Sequence, residues 1–255
     1  MSWRSLRAVG RRADPDTQIC LAVSSRLAAQ PELFTMDQSE TVAVLDFETT
    51  GMSPALGARP TEIAIALVRS GAIVDRFQSL MNPGCRIPAE ITALTGITNA
   101  MVAKAPPVAE VMQQAAHFVG THCLVAHNAA FDSKFWLAEL PRTPAGAHWP
   151  DFACTVLLSR RLQPEQRSHR LGALAQALGL PITGRAHRAM VDVEMTCHLW
   201  LHLQARARRL AGVDAITHAM LTEVQRVPRQ RTAAMLQALA LALGPGAAHP
   251  TVTAG

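Results

Sequence analysis

A short apolar run, Val42, Ala43, Val44 and Leu45, leads directly into Asp46 and Glu48, two carboxylates two positions apart. Such a run reads as a buried strand. Side chains alternate along a strand, so Asp46 and Glu48 point to the same side. Like charges at the edge of a core are opposed by mutual repulsion and by desolvation. Two arrangements relieve this. One is a solvated strand end before a Thr49-Thr50-Gly51 turn; the other is a divalent cation whose charge reverses the repulsion. The second arrangement requires further ligands later in the chain.

The chain has 255 residues and is 49% hydrophobic, enough for one large domain or one domain with extensions. Cys20, Cys85, Cys123, Cys154 and Cys197 are scattered without a Cys-x-x-Cys pair, which argues against a disulfide framework and a zinc site and fits a reducing, cytoplasmic setting. No apolar run reaches the roughly 18 residues of a spanning helix. Residues 1–36 hold five Arg and three acids, and residues 204–255 six Arg and two acids, so the net charge of +5 sits in the flanks. Basic flanks admit a polyanionic partner but do not identify one.

Regular patterning begins after Met36. Residues 41–45, 62–69 and 73–80 read as strands, the last two joined by a hairpin at Ser70-Gly71. Residues 82–98 read as a loop with a short helix, and 108–119 as a helix. A short strand at 123–126 and a helix over 128–140 follow, then a Pro-rich loop at 141–151. Residues 152–162 read as a short strand running into a helix. Helices are expected over 171–178, stopped by Gly179 and Pro181, and over 186–203. Antiparallel strands followed by alternating helices and strands predict an α/β fold with one mixed sheet. The expected division is a poorly ordered extension at 1–36, a domain at 37–203, a basic helical extension at 204–243 and a disordered tail at 244–255. A chain starting at Met36 is expected to fold unaided.

Two later segments complete the first motif. Asp132 lies in "AHNAAFD", near a helix start after a strand. His187 and Asp192 lie in "HRAMVD", near another helix start. Ligands of open α/β sheets collect at strand ends and helix starts. Any one of these residues alone is an ordinary helix-start charge. The ordered set D-x-E, H-N-x-x-F-D and H-x-A-x-x-D is far more specific.

With these motifs, residues 40–203 resemble the DnaQ-like 3′–5′ exonucleases of the DEDDh type, the group of the proofreading epsilon subunit of bacterial DNA polymerase III and of ribonuclease T. The stretch "NPGCRIPAEITALTGIT" at 82–98 also resembles that family. The resemblance implies a ribonuclease H-like mixed sheet flanked by helices, here with a helical C-terminal extension. It implies that Asp46, Glu48 and Asp192 hold a first Mg²⁺ or Mn²⁺, that Asp46 bridges to a second ion, and that Asp132 acts on the second. His187 is implied as the general base. A sister subgroup uses Tyr there, and this chain contains no Tyr. Two cations on carboxylates suit phosphodiester cleavage, and a His base suits deprotonation of water near neutral pH.

The resemblance further places Thr49, Thr50, Leu94 and Ile97 against the terminal nucleotide, although turn-shaping and core packing are competing roles. His127 and Asn128 are expected to hold the second motif in shape, and Glu62 resembles a position frequent in the family. The implied activity is release of nucleoside 5′-monophosphates from single-stranded or frayed 3′ ends of DNA. The alternatives are 3′-end trimming of RNA and a non-catalytic polymerase- or nucleic-acid-binding module on the same fold. A polymerase or another protein partner is assigned to the C-terminal segment. "QALALAL" at 237–243 faintly resembles a sliding-clamp peptide but lacks its aromatic anchor, so an Ala/Leu helix is the stronger expectation.

Overall fold

The computed structural model describes residues 40–140, 152–182, 184 and 188–243. The expectations for 1–36, 141–151, His187 and 244–255 lie outside the described residues. One five-stranded sheet has the order β3-β2-β1-β4-β5. It comprises β1 (Thr41–Thr49), β2 (Pro60–Arg69), β3 (Ala72–Leu80), β4 (Cys123–Ala126) and β5 (Ala153–Cys154). β1 pairs antiparallel with β2 and parallel with β4, and β4 pairs parallel with β5. The mixed ribonuclease H-like sheet expected from the sequence is therefore present. Ser70 and Gly71 both have positive φ, at 50° and 82°. That conformation matches the right-handed twist of paired strands, which is why this dipeptide turns the β2–β3 hairpin.

The helices are α1 (Ala89–Thr95), α2 (Asn99–Val102), α3 (Val108–Val119), α4 (Asp132–Glu139), α5 (Thr155–Leu162), α6 (Leu171–Ala177), α7 (Ala189–Ala211), α8 (His218–Arg226) and α9 (Thr232–Leu243). β1 divides the core by parity. Ala43, Leu45 and Phe47 pack with Ile63 and Ile65 of β2 against α3 and α4. Val42 and Val44 pack with Ala64, Ala66 and Val68 against a layer that includes α5, α7, α8 and α9. Being covered on both faces is what keeps this strand apolar until Asp46.

Two expected boundaries shift. The helix expected from 128 begins at Asp132, because Asn128 takes a left-handed conformation (φ 66°) and its carbonyl accepts the Phe131 N–H in a turn. Asn tolerates that region better than other non-glycine residues. The helix expected to end at 203 continues to Ala211 and stops at left-handed Gly212. The division at 203/204 thus falls inside a helix. Residues beyond it enter the core: Ile216, Met220, Leu221, Val224, Met235, Leu236, Ala238 and Leu239 are buried with Val42 and Val44. The Gln225 side chain also closes the sheet's short outer strand. Its amide oxygen accepts the Cys154 N–H at 2.7 Å, and its amide nitrogen donates to the Phe152 carbonyl at 2.9 Å. Among the described residues, no helix is long and apolar enough to cross a membrane.

Candidate active site

The two carboxylates of β1 continue the row of Val42 and Val44, so they face α7. Asp46 stands opposite Ala64 of β2, and Glu48 opposite Glu62. Asp192 lies in the first turn of α7. Asp46, Glu48 and Asp192 each offer a carboxylate oxygen, and the three atoms lie within 4.8 Å of one another.

Asp132 arrives from the other side of the strand. β4 pairs with β1 only over Val42–Val44, which leaves later N–H groups of β1 without a β4 partner. The Phe47 N–H, between the two acids, donates to Asp132 Oδ1 at 3.2 Å. A buried backbone donor must find an acceptor, and this bond ties the start of α4 to the acid-bearing end of β1.

The electrostatics of the carboxylate cluster are severe. Burial raises the Asp46 carboxyl well above its usual range, and Asp132, Glu48, Asp192 and Glu62 raise it further. Glu48 is pushed up to about 8, by burial first and then by Asp192 and Glu62, with Arg188 opposing. Burial likewise pushes Asp132 up to about 8, against the hydrogen bond from Phe47. Such a cluster is held together by the fold at an electrostatic cost. Hard oxygen donors converging on one point are the donor set of a divalent cation, so the residues fit the metal that the sequence resemblance implies.

The remaining sequence candidates separate. Thr49 and Thr50 are both buried. Thr49 Oγ1 donates to the Gly51 carbonyl at 2.6 Å, and Thr50 Oγ1 accepts the Arg59 N–H at 2.9 Å. These contacts shape the turn. Leu94 is 48% exposed and free to meet a ligand. Ile97, expected against the terminal base, is a correction: it is fully buried with Ile87 and Val102 and presents no surface to a base. His127 Nδ1 lies 2.9 Å from Thr155 Oγ1, and burial lowers its pKa to about 4. It joins the second motif to α5 as a neutral ring. His187 lies outside the described residues.

Two ion pairs were not foreseen from the sequence. Arg59 and Glu139 pair through both carboxylate oxygens at 2.9 and 3.2 Å, tethering the β1–β2 connection to the end of α4. Arg188 pairs with Glu62, tethering the start of α7 to β2. The partners are 80 and 126 residues apart. Glu62 was singled out by position, but nothing local marked its partner. A cleft of about 480 Å³, lined by residues including Asn128, Ser133, Leu137, Phe152, Arg160 and Arg226, opens between the second-motif loop and the β5–α5 junction.

A mixed sheet with carboxylates gathered at the end of its central strand defines a ribonuclease H-like nuclease domain. A family model described as Exonuclease, RNase_T, matches residues 43–200. The chain belongs to this exonuclease family, and its domain is of the DnaQ-like type. Over 160 residues it is 39% identical to the DNA polymerase III PolC-type of Bacillus cereus, covering 63% of this chain and 11% of that protein. The chain thus spans about a tenth of that relative's length. Exonuclease X, solved in complex with 5′ overhanging duplex DNA, is 29% identical and superposes with a TM-score of 0.56, over 71% of this chain and 99% of that one. The nuclease domain of 3′hExo, a DEDDh family member bound to rAMP, shares the fold (TM-score 0.53, 20% identity, 65% of this chain and 92% of that one).

Proposed function

We propose that the chain is a metal-dependent 3′–5′ exonuclease that releases nucleoside 5′-monophosphates from 3′ ends, with DNA as its substrate. The observation that carries this reading is the convergence of Asp46, Glu48 and Asp192 within 4.8 Å, with Asp132 bonded to the backbone between the first two. In the reaction, a water oxygen bonds to the terminal phosphorus and the bond to the 3′ oxygen of the preceding nucleotide breaks. Asp46, Glu48 and Asp192 would hold one ion, Mg²⁺ or Mn²⁺, and Asp46 and Asp132 would serve a second. When bound, the two cations supply the positive charge that in-line phosphoryl displacement demands. His187, five positions before Asp192 in sequence, accepts a proton from the attacking water.

DNA is favoured over RNA because the relatives above 25% identity include a DNA polymerase and an exonuclease solved on DNA. Among the described residues, Cys85, Cys123, Cys154 and Cys197 are unpaired, which fits work in the cytoplasm. A polymerase or other protein is proposed to dock on the C-terminal segment; where it meets α9 it would meet the side on which Leu241 is exposed, since Met235, Leu236, Ala238 and Leu239 are buried.

The test uses protein dialysed against EDTA and matched single-stranded DNA, duplex DNA and RNA, each with a free or blocked 3′ end. Mg²⁺ or Mn²⁺ should restore stepwise mononucleotide release from free 3′ ends of DNA, and blocked ends should persist. Absence of metal-stimulated cleavage, or equal cleavage of blocked ends, overturns the reading.

A further inference from the structure

Glu62 faces Glu48 directly across the β1–β2 pair, on the face that carries the acids. A third carboxylate opposite Glu48 is expected either to bind metal or to be repelled. Its surroundings show a different use. Glu62 Oε1 accepts from Gln78 Nε2 at 2.9 Å and from Arg188 Nη2 at 3.0 Å. Oε2 accepts from the Ala189 N–H at 3.3 Å and from Arg188 Nε at 3.4 Å. Each oxygen is thus engaged by two protein donors, and the side chain is 1% exposed.

The Ala189 N–H is the first of α7, one of the donors a helix start leaves without an intrahelical acceptor. Arg188, at the N-cap position, gives no side-chain cap to its own helix. Glu62 supplies that acceptor from the neighbouring strand. Two guanidinium contacts add a planar constraint that a single contact lacks. The start of α7 is therefore held against β2 in both translation and rotation. Asp192 lies three residues beyond Ala189, within the same first turn, and Glu48 lies on the strand paired to Glu62.

We infer that the Glu62–Arg188 pair is a positioning clamp: without ligating metal itself, Glu62 sets the separation between Glu48 on β1 and Asp192 on α7, and so the affinity of the cation they share. The inference rests on the proposed metal-dependent reading of this site. Partners that orient metal ligands typically matter by about 10–100-fold in affinity or activity.

The test measures Mn²⁺ affinity by calorimetry on EDTA-stripped full-length protein, beside kcat and KM on an oligonucleotide with a free 3′ end. Wild type, Arg188→Ala, Arg188→Lys, Glu62→Gln and Glu48→Gln are compared, with circular dichroism confirming the fold. Arg188 is 40% exposed, so its removal leaves no large cavity. Arg188→Ala should weaken Mn²⁺ about 10-fold or more and lower kcat about 10–100-fold, with KM nearly unchanged. Arg188→Lys should recover part of both, since it keeps the charge without the planar fork. Glu62→Gln should weaken Mn²⁺ measurably but less than Glu48→Gln. Wild-type Mn²⁺ affinity in Arg188→Ala overturns the clamp, whatever happens to KM. Loss of Mn²⁺ in Glu62→Gln as complete as in Glu48→Gln overturns it differently, by making Glu62 a ligand. Because Mn²⁺ affinity is read without substrate, the clamp is tested even if the chain cuts no nucleic acid.

Discussion

The two faces of β1 are built in opposite ways. On one, Ala43, Leu45 and Phe47 are buried in succession under α3 and α4. On the other, Val42 and Val44 are buried, and the same row continues as Asp46 and Glu48. The strand alternation that gives one face a dry core gives the other its acids at fixed spacing. Like charges are kept together because they stand on a strand whose opposite face is tightly packed, and a rigid element holds a site more accurately than a loop. The scaffold face supplies the rigidity and the acid face spends it.

The largest expected effect is on the acid face. Asp46→Asn should lower metal-dependent turnover about 10³-fold or more, because cation binding is worth several kcal/mol to the reaction. In EDTA the same variant should melt no lower than wild type, since a repelling charge is removed. Mononucleotide release and thermal unfolding in EDTA check both halves. If D46N retains near-wild-type turnover, Asp46 does not belong to the site.

The scaffold face should respond in reverse. Phe47 packs against Phe135 and Trp136, with ring centroids 6.4 and 6.5 Å away. Phe47→Ala should cost roughly 3–5 kcal/mol of stability, measured by denaturant unfolding, equally with and without metal. A loss much below this would mean that Phe47 contributes little to the rigidity attributed to its face.

A third test uses pH. In metal-free protein Asp46, Glu48 and Asp132 all have carboxyls raised by burial and mutual charge, the last two to about 8. In the unfolded chain they titrate near 4. Between these values the folded state holds more protons than the unfolded state, so stability falls as pH rises from about 4 to about 8. The melting temperature in EDTA should decline over that window, and saturating Mg²⁺ should flatten the decline. A flat or rising profile in EDTA would contradict the acid-face electrostatics.

The smallest effect is expected off the strand, at Leu94. Leu94→Ala should change stability by about 0.5 kcal/mol or less, as for an exposed position. If Leu94 meets the terminal base, its KM for oligonucleotides should rise up to about tenfold, since full burial of a leucine is worth roughly 1.5–3 kcal/mol and 1.4 kcal/mol is tenfold. An unchanged KM would leave Leu94 as plain surface.

Much of this architecture was already legible in the chain. The periodicity of 108–119, the hairpin dipeptide Ser70-Gly71 and the apolar run before Asp46 are local patterns, and each became the expected element. Alternation alone placed Asp46 and Glu48 on one side. The order of the three motifs named Asp132 and Asp192 as companions, and the structure brings both to the end of β1. Only the tertiary structure decided what holds them there. Glu62 reaches Arg188 across 126 residues, Arg59 reaches Glu139 across 80, and Gln225 reaches β5 across more than 70. Pairings of this kind follow from packing and carry no period along the chain. Leu94 and Ile97 show the same limit at short range: both are apolar and three positions apart, yet one is half exposed and the other fully buried, because Ile87 and Val102 close over only one of them.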